Sequence, residues 1–196
     1  MTVVAHTRER LLRSAQELIE EGGYAAAPVA AIAARAGVAA GTLYRHFDSK
    51  EDLFVEVFRS VCSGEERAMR AASDEMALAG AVARLEEVLA TFAERALRNP
   101  RLAWALIAEP VDPLVDAERL AYRERYAAVI AEALEAGIRR GELPAQNVQL
   151  TAAALVGGCG EALVGPLSPV AGTRPEDEEI VAALRLFVRR AVGAGA

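Results

Sequence analysis

Residues 24–58 read YAAAPVAAIAARAGVAAGTLYRHFDSKEDLFVEVF, and the architecture of the chain turns on them. Two short apolar-periodic segments, Val29 to Ala36 and Ala40 to Phe47, flank Gly37-Val38-Ala39. Helices of about two turns joined by a three- or four-residue turn containing glycine make a helix-turn-helix, whose second helix enters the DNA major groove. Ile32, Ala33 and Val38 are expected to form the small core between the two helices, and Ala36-Gly37 to allow the sharp turn. The leading edge of the second helix, Ala39-Ala40-Gly41-Thr42, is built of small residues, which suits a helix entering a groove about 12 Å wide.

Upstream of this stretch, Leu11, Leu12, Ala15, Leu18 and Ile19 lie on one helical stripe that stops at Gly22-Gly23. Downstream, Asp48 or Ser49 can cap a further helix whose first turn holds Glu51 and Asp52. From Ser63-Gly64 to Gly80 the pattern weakens to a charged, sparsely apolar connection that is compatible with helix over part of its length. Helical stripes then return near 80–98, 101–108, 114–140, 146–164 and 176–192, with Asn99-Pro100, Pro110, Gly141 and Gly165-Pro166 as the expected stops. Alanine supplies 43 of the 196 residues, and it is the best helix former. The fold class is therefore all-α.

Composition narrows the function. The chain is 53% hydrophobic and 26% charged with a formal charge of −6, which excludes a disordered chain. Charges or prolines interrupt every Ala/Leu/Val stretch, so no membrane span is expected, and arginines stand where a signal peptide needs its apolar core. A cytoplasmic protein is expected. Cys62 and Cys159 are 97 positions apart and suggest neither a zinc site nor a disulfide framework. The only histidines are His6 and His46, which leaves no basis for a histidine triad or a multi-histidine metal site, and adjacent carboxylates such as Glu86-Glu87 do not converge on one substrate. No enzyme is expected, no metal and no cofactor. The Gly157-Gly158-Cys159-Gly160 run lacks phosphate-loop spacing and is expected at a close helix contact.

The pattern Ile32-Ala33, Ala36-Gly37-Val38, Gly41-Thr42-Leu43-Tyr44-Arg45-His46-Phe47 and Ser49-Lys50-Glu51-Asp52-Leu53 resembles the DNA-binding domain of the TetR family of bacterial transcriptional regulators. The resemblance covers roughly residues 8–58. It implies an all-α homodimer with a three-helix DNA-binding domain over residues 1–60. A C-terminal helical domain over residues 61–196 would bind a small-molecule effector and dimerise through its last two helices. It further implies a repressor that its effector releases from double-stranded operator DNA, and two-fold symmetry makes that operator palindromic.

Residue chemistry and resemblance agree on the DNA face. Ala40, Gly41 and Thr42 are the expected base-edge readers, Tyr44 and His46 reach phosphates, and Arg45 reaches a guanine or a phosphate. Lys50, the only lysine in the chain, stands in the first turn of the next helix, where its ammonium and free backbone N–H groups can grip one phosphate. Leu43 and Phe47 belong to the core. The chain departs from the family pattern where Ala27-Pro28-Val29 replaces a usual threonine pair, and where Ala39 replaces a capping serine. Residues 1–60 carry seven basic and eight acidic side chains, whereas within 24–50 Arg35, Arg45 and Lys50 oppose only Asp48. Modest non-specific affinity and a shallow salt slope follow.

For the second domain, Phe92, Trp104, Tyr122 and Tyr126 are the candidate walls of an effector site, with Arg123 and Glu161 as its charged groups. Leu155, Ala162, Leu163, Ile180, Leu184, Phe187 and Val188 are the candidate dimer interface. Two other readings stay open: a ligand-binding or protein-interaction module whose helix-turn-helix no longer reads DNA, and an activator rather than a repressor.

Overall fold

The structure is a computed structural model that describes residues 3–170 and 172–193. Among the described residues all regular structure is helical: α1 (Val3–Gly22), α2 (Val29–Arg35), α3 (Lys50–Glu75), α4 (Ala81–Arg98), α5 (Pro100–Ile107), α6 (Pro113–Arg139), α7 (Val148–Leu167) and α8 (Asp177–Ala191). Two 3-10 segments, Tyr24–Ala26 and Ala40–Arg45, complete the set. The chain forms two compact units, the first comprising residues up to Cys62 together with Asn99–Arg119, the second Ser63–Arg98 and the residues from Leu120 onward. The stretch 99–119, which the sequence reading placed in the second domain, thus clusters with the first unit.

In the first unit α1 buries Leu11, Ala15, Leu18 and Ile19, the stripe that the sequence predicts. α1 ends at Gly22, and Gly23 takes φ +76, a conformation costly for any residue with a Cβ. α5 packs against α1. Its Arg101 donates to the Gly22 carbonyl at 2.6 Å, and Glu109, just beyond its end, accepts the Tyr24 N–H. Arg119 caps the far end of α5 by donating to the carbonyls of Leu106 (2.8 Å), Glu109 (3.0 Å) and Ala105 (3.3 Å).

In the second unit α4 packs most extensively on α8, and α7 lies against both. Asn147 caps α7, as Asn99 caps α5 in the first unit, each accepting a backbone N–H three residues on. Two of the expected breaks are absent. Ser63-Gly64 lies inside α3, where a helical glycine costs about 1 kcal/mol relative to alanine. Flanking contacts offset that cost: Glu65 pairs with Arg95 through two hydrogen bonds of 2.6 and 2.9 Å, and Met69, Ala72 and Ser73 are buried. Gly165-Pro166 likewise does not end α7, because Leu163 and Leu167, four residues apart, are both buried and hold the last turn in place. Running through Glu161 and Pro166, α7 is long and apolar enough by length and composition to cross a membrane, contrary to the sequence expectation, and 28% of its apolar 18-residue window is buried within the chain.

Candidate nucleic-acid interface

The turn of the helix-turn-helix is built from backbone hydrogen bonds. At the end of α2 the Gly37 N–H donates to the Ala34 carbonyl (3.0 Å) and the Val38 N–H to the Ala33 carbonyl (2.9 Å), with Gly37 at φ +65. This is the paired reverse bond of a Schellman stop. Ile32 and Ala33 are buried beneath it, as predicted, and Val38 is half-buried.

The segment that follows differs from the expected two-turn α-helix: Ala40–Arg45 is wound as a six-residue 3-10 helix, with the Thr42 N–H on the Ala39 carbonyl at 2.8 Å. Ala39 offers no side-chain cap, so the first turn closes with the tighter i to i+3 bond. Leu43 and Phe47 are buried under the segment. Ala40, Gly41, Tyr44 and Arg45 are exposed on it, Tyr44 at 57%, and a Cβ built on Gly41 would meet nothing within 4 Å. Thr42, His46 and Lys50 are half-buried. His46 lines an open cavity of about 390 Å3 with Asp48, Asp52 and Glu56, so its surroundings are acidic.

Ser49 caps α3: its hydroxyl accepts the Asp52 N–H at 3.0 Å and donates to the Asp52 carboxylate at 2.7 Å. Lys50, next in the chain, holds its ammonium 5.1 Å from the centre of the Phe54 ring, which itself lies 5.1 Å from the Tyr24 ring. Arg35, counted above among the basic residues of the motif, is engaged by Glu21 through two hydrogen bonds of 2.6 and 2.8 Å. That guanidinium also holds the Glu21 carboxyl below its ordinary range. The positive charge of the face therefore comes down to Arg45 and Lys50. Two arginines of α1 that the sequence reading did not single out touch the motif. Arg10 donates to the Ala36 carbonyl, and Arg8 lies 4.9 Å over the Phe47 ring while pairing with Glu56.

In the second unit, Phe92 and Tyr126 lie 5.8 Å apart and Tyr122 and Tyr126 6.1 Å apart, ring centre to ring centre. The Tyr122 hydroxyl is 2.7 Å from the Ser63 hydroxyl. Three of the four expected aromatics are thus together, whereas Trp104 belongs to the first unit. Arg123 and Glu161 are both exposed, and the cation against the cluster is Arg125, 4.9 Å over the Tyr122 ring. Arg123 and Arg125 are two positions apart on α6, about 200° round the helix, and so point to nearly opposite sides. Among the described residues no group of three or more His, Cys, Asp or Glu is arranged to hold a metal.

The candidate dimer residues need correction. Leu155, Leu163, Ile180, Leu184 and Val188 are buried inside the chain's own second unit, so they are core rather than contact surface. Ala162 and Phe187 are exposed. The apolar face that α7 leaves uncovered is Leu150, Ala153, Ala154, Gly157, Ala162 and Gly165, with Glu161 on the same side. α8 adds Leu186 and Phe187. Of the glycine run, Gly158 meets the Phe187 ring, while Gly157 and Gly160 face open space.

A glycine turn over a buried Ile32 and Ala33, carrying an exposed recognition segment, defines the class of helix-turn-helix proteins. Residues 11–57 match the bacterial regulatory proteins of the tetR family, and residues 79–163 match the tetracyclin repressor-like C-terminal domain. The chain belongs to the tetR family of bacterial regulatory proteins. It is 38% identical over 101 residues to the transcriptional repressor KstR of Mycobacterium tuberculosis, a match covering 50% of this chain and 44% of that protein. Identity to the repressor KstR2 of Rhodococcus jostii is 33% over 139 residues, covering 68% and 66% of the two chains. The matched stretch thus spans less than half the length of KstR. FadR from Bacillus subtilis, solved in complex with stearoyl-CoA, has the same fold, with a TM-score of 0.76 at 23% identity over 96% of this chain and 99% of that one.

Proposed function

We propose that the chain is a DNA-binding transcriptional regulator. It acts as a dimer on a palindromic operator, as a repressor that a small-molecule effector releases, and it works in the bacterial cytoplasm. The observation that carries this reading is the recognition segment itself. Leu43 and Phe47 are buried while Ala40, Gly41, Tyr44 and Arg45 stand in solvent, so one side of the segment is anchored and the other is free to enter a groove. Tyr44, His46 and Lys50 hold phosphates, Lys50 together with the first backbone N–H groups of α3. Thr42 and Arg45 read base edges.

The exposed apolar faces of α7 and α8 meet a second copy, with Leu150, Ala154, Leu186 and Phe187 in the contact. The Phe92, Tyr122 and Tyr126 cluster, with the Ser63 hydroxyl and Arg125 beside it, is the effector site. An acyl thioester is the first effector to test, because FadR was solved with stearoyl-CoA and an aromatic cluster beside a cation suits a long apolar chain with an anionic head. Activation is the second reading, favoured by a 39% match over 71 residues to the transcriptional activator FasR of Mycolicibacterium smegmatis.

The test is fluorescence anisotropy with DNA from upstream of the protein's own gene and with a site drawn from random-sequence selection, each against excess non-specific competitor. Saturable binding that survives competitor and weakens on adding stearoyl-CoA is the expected result. Failure to select any sequence would leave the interaction-module reading in its place.

A further inference from the structure

Neither Pro28 before α2 nor Ala39 before the recognition segment makes a side-chain capping bond. Something else must fix the angle at which the segment leaves the turn. The Schellman stop of α2 satisfies the carbonyls of Ala33 and Ala34. Ala36, the last residue before the left-handed Gly37, gives its own carbonyl to the Arg10 guanidinium. A Cβ on Gly37 would stand 2.7 Å from Arg10 Nη2, so the guanidinium fills the hollow of the turn itself. Arg8, two positions earlier on α1 and so pointing to another side of that helix, covers the Phe47 ring at the far end of the segment. The recognition segment is therefore held at both ends from α1, by residues that are not part of the helix-turn-helix.

We infer that Arg10 is a positioning residue for DNA reading: it sets the geometry of the recognition segment by binding the Ala36 carbonyl, and it does not act as a phosphate contact. Arginine suits the place, because its planar fork directs hydrogen bonds in fixed directions while a lysine ammonium is a swivelling point charge. The inference rests on the DNA-reading function proposed above. Its test therefore includes one measurement made without DNA.

Full-length Arg10→Met and Arg10→Lys are compared with the unaltered protein. In the free proteins, amide hydrogen exchange is followed at Thr42, His46 and Phe47, whose N–H groups close the segment. Binding to the selected operator and to an unrelated duplex is followed between about 50 and 200 mM salt. Exchange at those three amides should accelerate about tenfold in Arg10→Met, with α7 and α8 unchanged, the scale of one charge-assisted hydrogen bond. Operator affinity should fall about tenfold while affinity for the unrelated duplex and the salt slope stay as they were. Arg10→Lys should show the same loss, and it carries the test alone should Arg10→Met not fold.

Unchanged exchange at the three amides would overturn the inference. So would a salt slope flatter by about 0.9 with equal loss on both duplexes and recovery in Arg10→Lys, the signature of a phosphate contact. If the unaltered protein selects no sequence at all, the DNA-reading function fails, and the exchange measurement still decides whether Arg10 braces the segment.

Discussion

Glu109 and Tyr24 are 85 positions apart in sequence, yet the Glu109 carboxylate accepts the Tyr24 N–H at 3.3 Å. Between them and Arg101 sits Gly23, where a Cβ would come within 2.4 Å of Arg101 Nη2 and 2.5 Å of the Glu109 carboxylate. Gly23→Ala therefore meets a left-handed backbone and pushes the ends of Arg101 and Glu109 off the Gly22 carbonyl and the Tyr24 N–H, and should lower stability by about 2 kcal/mol. Glu109→Gln keeps an acceptor but loses its charge, and should cost about 1 kcal/mol. Urea unfolding measures both, and a Gly23→Ala protein as stable as the parent would show that α5 does not clamp this turn.

On the DNA face, Tyr44→Ala and Lys50→Ala should each weaken operator binding about tenfold, and Lys50→Ala, which removes a charge, should also flatten the salt slope by about 0.9, whereas loss of the uncharged Tyr44 phenol should leave the slope in place. With Tyr44 57% exposed, its replacement should leave the urea midpoint in place. An unchanged slope in Lys50→Ala, or unchanged operator affinity in Tyr44→Ala, would remove that side chain from the phosphate set.

The corrected dimer surface separates two kinds of substitution. Leu150→Arg, on the exposed face of α7, should shift the protein to monomer in sedimentation without loss of helical signal. Leu184→Ala, in the core between α8 and its neighbours, should cost about 2–5 kcal/mol of stability. A dimer that survives Leu150→Arg would move the interface elsewhere.

How much of this was visible beforehand depends on the range of the interaction. Ile32, Ala33, Gly37, Leu43 and Phe47 lie within fifteen positions of one another, and their pattern announces the turn and its core. The Glu109 to Tyr24 bond leaves no local trace, so the membership of 99–119 in the first unit was not legible. Alanine bias hid the rest. α7 and α8 are apolar on more than one side, and periodicity names the apolar positions without saying which side faces inward. That is why Leu155 and Leu184 were assigned to a surface while Leu150 and Leu186 were passed over.

Acid should act through Glu142, whose carboxylate accepts the Ala81 N–H at 2.5 Å at the start of α4. Its pairing with Arg140 first, and the Ala81 bond second, hold its pKa below the ordinary 4.5. The unfolded chain thus takes up this proton more readily than the native one. The stabilisation is fully present above pH 4.5 and is lost as the pH falls through the lower native value. Glu142→Gln should flatten the fall of the urea midpoint between about pH 6 and about pH 3, and an identical fall in both proteins would assign it to other carboxylates.

Burial pushes the Cys159 thiol up to about 12. Alkylation at about pH 8 should therefore spare Cys159 in the native protein and label it once urea unfolds the chain, as peptide mass spectrometry would show. Native labelling as fast as that of a free thiol would mean that α7 opens readily.

The lone lysine gives the chain an unusual property toward proteases. An endoprotease that cuts only after lysine has one place to cut in all 196 residues, the junction between residues 50 and 51, and yields a single pair of fragments. Proteases need an extended segment, and this junction lies in the first turn of α3 under the Ser49 cap. Each cut therefore counts one fraying event at the point where helix and DNA would meet. The rate at which the two fragments accumulate is a label-free clock for how firmly that turn is closed, and it slows when anything occupies the face.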